Sequence, residues 1–404
     1  MKIIFAFVVV IGLLVLPTIA IAQDQQLTDE EVAQLKSLLA KKQANETKII
    51  KDFDLDFYGF ARLDSTWSNS DLTTAGGGSI ALWADPETAA NRNDDEFSMT
   101  ARGTRLGVNI VGPGNDTVKT SGKIEYDFGL TGAENSNEPR MRHAYFQFDF
   151  PDKNFSILAG QTWDVISPLI PPTTNLSVMW DAGNVGYRRP QLRFTQKIPI
   201  TDDAFIKLET AATRTIGQTN LDNEDTGDDS GLPSVQARIS YTMPVCNDLP
   251  TTIGVSGQYG TEEYDVAAGT DSDVDFESWL VCFDMNMPIT KEVNASGEFY
   301  TGTNTRTYFG GIGQGVTING LDINEIDAMG GWFGLTYAPT PKWKFAGGYS
   351  IDTVDPDDLT NNGTAREMNS VAFVNTCYRP FKATIVGVEA AYHTTEWHEN
   401  ADGQ

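Results

Sequence analysis

Arg102, Arg105, Arg140, Arg142, Arg188, Arg189 and Arg193 gather in the first half of the chain. A guanidinium is always charged, and its planar fork of donors matches a carboxylate. Such a group on one wall could steer or hold anions. Paired with carboxylates of the same wall, it would only stiffen the structure. Both readings stand at the level of sequence. Other chemistry is thin. His143, His393 and His398 are the only histidines, and no His or Cys spacing suits zinc. No Gly-x-Ser-x-Gly elbow occurs. His143 could partner a serine in a barrel lipase, but a lone histidine on a polar wall is more often lining. The chain therefore reads as no enzyme, with no metal and no cofactor. The acidic run 222–229 resembles a calcium loop but has Pro233 where an EF-hand needs its last Glu. Cys246, Cys282 and Cys377 are spread out and read as free thiols rather than a disulfide framework.

The elements that would carry the arginines follow a two-step rhythm. From about residue 52, stretches of alternating apolar and polar residues are joined by connections that are alternately short and long. Pro151-Asp152-Lys153, Ile289-Thr290 and Ala338-Pro339-Thr340-Pro341 are short; those between are long and rich in Gly, Asn and Asp. This predicts an all-β fold: a transmembrane up-and-down antiparallel β-barrel, with tight periplasmic turns and long outer loops. Fifteen strands can be placed, near 53–67, 97–110, 117–129, 139–150, 154–163, 189–198, 203–214, 232–244, 250–261, 273–287, 291–302, 325–338, 342–352, 367–379 and 382–397. Tyr241, Trp279, Tyr337, Trp343, Tyr349, Tyr378 and Tyr392 fall near strand ends, as interfacial girdles would.

A barrel of this size leaves an aqueous channel. Parity puts the basic residues Arg62, Lys123, Arg193, Lys207 and Arg238 and the acidic residues Asp64, Glu125, Asp127, Glu209, Glu298 and Glu389 on the inner face. Parity fails locally: Arg102 and Arg105 cannot both face inward without a bulge, and Arg140 and Arg142 conflict with His143 and Tyr145. The connection 165–187 carries Pro168, Pro171, Pro172, Trp180 and Asp181. Its prolines and apolar anchors suit a loop folded inward as a constriction; an ordinary outer loop is the alternative.

Ahead of the barrel, Met1-Lys2, an apolar run over 3–16 and Ala20-Ile21-Ala22 read as a secretory signal peptide over 1–22. No later stretch is long and apolar enough for a membrane helix. Residues 23–50 begin with a capping box at Thr28-Asp29-Glu30-Glu31, and Val32, Leu35 and Leu39 form a narrow seam. This predicts a short periplasmic helix, suited to a small coiled coil, or else a tether. The formal charge of −26 argues against nucleic acid as a partner. The partners expected are membrane lipid and lipopolysaccharide outside and small solutes inside.

Tyr58-Gly59-Phe60-Ala61-Arg62-Leu63-Asp64, Ala101-Arg102-Gly103-Thr104-Arg105-Leu106-Gly107, Arg140-Met141-Arg142-His143-Ala144-Tyr145, Ala159-Gly160-Gln161-Thr162-Trp163 and Arg189-Pro190-Gln191-Leu192-Arg193 occur in that order. The chain thus resembles the DcaP-like outer-membrane porins, specifically over 55–195 and loosely after that. The resemblance implies a homotrimeric, sixteen-stranded porin passing small anionic solutes, including dicarboxylates. By its motifs Arg62, Arg105, Arg142 and Arg193 are the pore-lining candidates. It also implies a last strand ending in an aromatic residue. The sequence ends instead on His398-Glu399-Asn400-Ala401-Asp402-Gly403-Gln404, so the closing strand is expected to be missing from it. Passive diffusion is the function expected for 51–404; a narrow substrate-specific channel, or a structural or adhesion barrel with a blocked lumen, are the alternatives.

Overall fold

The computed structural model describes Gln34, Lys36, Ser37 and residues 52–75, 80–85, 95–129, 132–133, 136–217, 226–265, 273–319, 322–360 and 364–398. The expected signal peptide, most of the expected helix, the front of the acidic run and the last six residues lie outside these. Gln34, Lys36 and Ser37 are helical.

Fifteen strands form one antiparallel sheet in which every strand neighbours the next in sequence. They are β1 (Asp54–Phe60), β2 (Arg105–Val111), β3 (Lys119–Asp127), β4 (Arg140–Phe150), β5 (Phe155–Trp163), β6 (Arg188–Pro199), β7 (Phe205–Thr213) and β8 (Ser234–Pro244). Then come β9 (Pro250–Asp265), β10 (Asp273–Pro288), β11 (Val293–Thr303), β12 (Asp327–Thr340), β13 (Trp343–Val354), β14 (Arg366–Tyr378) and β15 (Val386–Trp397). The alternating pattern therefore located the strands, most of them to within a few residues. The three cysteines are free thiols, as their scatter suggested.

The two sheet faces explain why alternation was so legible. Phe146, Leu192, Phe194, Val235, Ile239, Val281, Phe283, Phe299, Phe333 and Leu335 are exposed. Their strand neighbours Gln191, Gln236, Arg238, Ser240, Asp284, Glu298 and Asp352 are buried. A soluble protein shows the reverse. Apolar side chains on one face of the sheet and polar ones on the other are what a lipid exterior and a wet interior select. At the short-turn end Tyr337, Trp343, Phe345 and Tyr378 stack on one another, with Trp343 and Tyr378 ring centroids 4.5 Å apart. This is one arc of an aromatic girdle.

The structure corrects the first two strands. The expected strand near 53–67 stays in the main sheet only as β1, and that near 97–110 only as β2. Asp64–Ser68 and Glu96–Thr100 pair with each other as a separate hairpin. The chain leaves the ladder at 61–63 and again at 101–104. These breaks resolve the parity conflict: Arg102 is buried, and Arg105 opens β2 beside Glu125. In β4 the register slips between Met141 and His143. That bulge lets Arg140, Arg142 and His143 all reach the polar face, because one extra residue re-aims the side chains on either side of it.

Phe283 sits on the outward face near the middle of β10. Phe283→Arg is expected to cost about 2–4 kcal/mol of stability in bilayers, whereas Phe283→Leu costs much less. Urea unfolding in liposomes checks this, and equal costs for the two variants would count against a lipid-facing position.

Candidate functional site

The four candidate arginines stand on or beside β1–β6, and each is engaged. Arg62 binds Asp64 through Nε (2.9 and 2.8 Å) and Nη2 (2.7 Å). Arg105 Nε lies 3.4 Å from Glu125 Oε1. Arg142, buried, donates from Nε to Glu125 Oε1 (2.7 Å) and from Nη1 to Asp127 Oδ2 (2.7 Å). Arg193 donates to the Trp163 carbonyl and to Gln191 Oε1 (2.9 Å). Glu125 and Asp127, one on each side of Tyr126 in β3, are the hub. Glu125 also accepts from Tyr58 (2.6 Å), and Asp127 from both Nε and Nη2 of Arg140 (2.8 Å each). The structure thus brings Arg105 and Arg142 onto one carboxylate. It sets Arg193 apart from them, on β6.

The connection from β5 to β6 (164–187) crosses the polar face of the sheet. Val165 N donates to Gln236 Oε1 on β8 (2.8 Å), and Ser167 N to Ser256 Oγ on β9 (3.4 Å). Ser167 Oγ (2.6 Å) and Leu169 N (2.8 Å) bind Glu298 of β11. The Pro172 carbonyl accepts from Asn375 of β14 (2.9 Å). Thr174 N donates to Glu389 of β15 (2.6 Å), while its carbonyl accepts from Arg62 (2.6 Å). Polar side chains of β8 to β15, and Arg62 just beyond β1, can meet one short segment only if the sheet curls round to enclose it. Thr174 therefore bridges the two ends of the sheet, Arg62 just beyond β1 and Glu389 of β15. Of the residues singled out in the sequence, Pro171, Trp180 and Asp181 are buried and Pro168 is exposed. Trp180 stacks on Phe309 with centroids 4.4 Å apart.

Two further inward segments escaped the sequence reading. One is the connection from β11 to β12, where Phe309 and Ile312 take positive φ and Gly311 and Gly313 complete the sharp turns. Its Phe309 carbonyl accepts from Asp181 N (2.9 Å), and its Tyr308 carbonyl from Gly186 N (2.8 Å). The other is the hairpin of Leu72–Ala75 and Ile80–Ala84, whose Trp83 lies against the Arg366 guanidinium at 4.2 Å. Asn369 of β14 joins the hairpin to the β5–β6 segment: its amide donates to Leu82 O (2.8 Å) and to Asp181 O (2.7 Å). Two apolar clusters fill the space between these segments and the wall. One contains Ile166, Val185, Leu280, Tyr300, Tyr308 and Ile312, the other Met179, Ala182, Trp332, Val371 and Phe373. The sequence signal for them was present. Leu280, Cys282, Tyr300 and Trp332 are apolar residues at positions whose parity points inward, which an unfilled polar lumen would not favour.

No protein-family model matches the chain, and no curated protein does. Among solved structures, the outer-membrane channel DcaP of Acinetobacter baumannii superposes with a TM-score of 0.69 at 22% identity, covering 88% of this chain and 94% of that one. The fold is that of a DcaP-like outer-membrane porin. An anion-selective porin from Comamonas acidovorans follows at a TM-score of 0.52 and 11% identity, with 85% and 90% covered. The likeness noted over 55–195 thus extends to the fold of nearly the whole chain.

Burial pushes the Asp181 carboxyl from the ordinary carboxylate range up to about 7, against the pull of Arg366, Arg306 and the Gly313 N–H. Its Oδ1 has no hydrogen-bond partner among the described residues. A carboxyl raised above its unfolded value contributes stability below about pH 4 and loses it as pH rises through about 7. The segment is therefore expected to seat less firmly at pH 8 than at pH 5. The labelling rate of a Ser177→Cys reporter should rise over that interval, and rise less when Asp181→Asn is added. An identical pH response in both proteins would contradict this.

Proposed function

We propose that this chain is an outer-membrane porin that passes small hydrophilic solutes by passive diffusion, anionic ones such as dicarboxylates foremost. The observation that carries this reading is the charge pattern along one inner wall. Around Glu125 and Asp127 stand Arg105, Lys123, Arg140 and Arg142, so guanidinium and ammonium groups outnumber the carboxylates they meet. Excess positive charge beside a low-dielectric wall raises the local concentration of anions. The opposite wall carries Glu298 and Asp352. Glu298 is taken up by Ser167, Leu169 and Trp332, and Asp352 by Tyr300. Pro168 and Ile170 form the exposed edge of the β5–β6 segment and would narrow the passage in front of the basic wall.

A second reading, a narrow substrate-specific channel, is favoured by the number of inward segments. Three of them meet around Asn369 and Asp181, which leaves less room than a single constriction loop would. Block of the current by micromolar dicarboxylate would select this reading over general diffusion.

Reversal potentials in a salt gradient test the anion preference. Arg142→Ala and Arg193→Ala are each expected to lower the anion-to-cation permeability ratio of the full-length protein in planar bilayers. An unchanged reversal potential in both would remove them from the solute path. A homotrimer is also proposed, on the narrow seam of Val32, Leu35 and Leu39. Light scattering in mild detergent should give a particle of three chains, and a monomer would contradict it.

A further inference from the structure

Two adjacent arginines open β6, and they differ sharply. Arg189 is bound to Asp164 (Nε to Oδ1 2.9 Å), donates to the Thr307 carbonyl and lies over Tyr308 at 3.8 Å. Arg188 is 2% exposed, and none of its Nε, Nη1 and Nη2 atoms has a hydrogen-bond partner among the described residues. Trp163 and Tyr187 lie against its guanidinium, 4.4 and 4.6 Å from Cζ.

The aromatic contacts do not account for the charge. A ring stabilises a cation through the face of the guanidinium, while the five N–H donors point outward in its plane. Those donors are unmet, and a guanidinium does not shed its proton to avoid burial. Taking a charge from water without a partner is strongly unfavourable. Among the described residues, the charged groups that act on it most are Arg142, Arg140 and Asp127. Asp127 is already spent: Oδ1 accepts from Arg140 Nε, and Oδ2 from Arg140 Nη2 and Arg142 Nη1. Glu125, one position further along the same face, is occupied by Arg142 and Tyr58. Among the described residues, the wall thus holds three neighbouring guanidinium groups and no free carboxylate for the third.

We propose that Arg188 is the centre of an enclosed site for a small inorganic anion, a halide or a planar oxyanion of nitrate or bicarbonate size, held by the in-plane donors of Arg188. Arg140 and Arg142 add to the positive field, and Trp163 and Tyr187 close the site over the guanidinium. The occupant is taken as small because Arg188 is 2% exposed and its three nitrogens are buried. The occupant is a resident counter-ion rather than a passing solute. It also fastens the return limb of the β5–β6 segment, since Tyr187 both contacts Arg188 and accepts a hydrogen bond from Arg140 (3.3 Å).

Crystals of the full-length protein soaked in sodium bromide test this directly. The expected result is an anomalous bromide peak in contact with the Arg188 guanidinium that is lost in Arg188→Met. No peak there, an ordered water alone, or a peak that persists in Arg188→Met as an adventitious ion only, would overturn the proposal. In solution, exchanging gluconate for bromide at constant ionic strength should raise the wild-type Tm by about 2 °C and leave Arg188→Met unmoved. The same response in both would also overturn it. Should Arg188→Met fail to fold, the bromide map of the wild type decides. Neither measurement involves current through the barrel, so failure here leaves the porin reading standing, and a barrel that does not conduct leaves the anion site standing.

Discussion

The wall of this protein is one residue thick and faces two different surroundings. Every backbone donor and acceptor must be used within the sheet, and each side chain must suit either lipid or the interior. The rest of the structure depends on that constraint. It forces strict alternation: in β10, Val281 and Phe283 face outward while Leu280, Cys282 and Asp284 face inward. Where the interior needs consecutive polar residues, the ladder must be interrupted. The breaks at 61–63 and 101–104 and the bulge at Met141/His143 are such interruptions, and all three occur in or beside the arginine-bearing strands.

The second level of organisation is built on the inner face. Carboxylates and amides on the inner face of β11, β14 and β15 do not lie idle. Glu298, Glu389, Asn369 and Asn375 take up backbone groups of the inward segments. Irregular backbone inside a barrel has no ladder to satisfy it, so side chains must supply the missing partners. This divides labour between the walls. The acidic and amide side fixes the inward segments, and the basic side keeps cationic groups in excess of its carboxylates. Thr174 joins the two, with its N–H on Glu389 and its carbonyl on Arg62.

How much of this was legible in the sequence follows from the same physics. Strands β3 to β14 were placed closely because alternation between lipid and interior leaves a period of two. The short turns were legible as well. Strands β1 and β2 were overextended, since a break in the ladder leaves the apolar alternation of Asp64–Ser68 and Glu96–Thr100 intact while those residues pair elsewhere. Proline and Trp180 singled out the β5–β6 segment, with an ordinary outer loop as the alternative. The β11–β12 turn gave less away, because glycine spacing suits an exposed loop equally. Arg188 lay in the sequence beside Arg189 without any sign that one would find a carboxylate and the other, among the described residues, none. That difference is set by Asp164 and Asp127, which lie on separate strands or connections.

On the proposed function, the β5–β6 segment, held by Glu298 and Glu389, sets the passage through a polar-lined barrel. Single-channel conductance in planar bilayers tests it most directly, comparing the full-length protein with one lacking 168–174. The expected result is a conducting wild type and a higher conductance when the segment is shortened. A wild type that carries no ion current, or a conductance unchanged by the deletion, would contradict it.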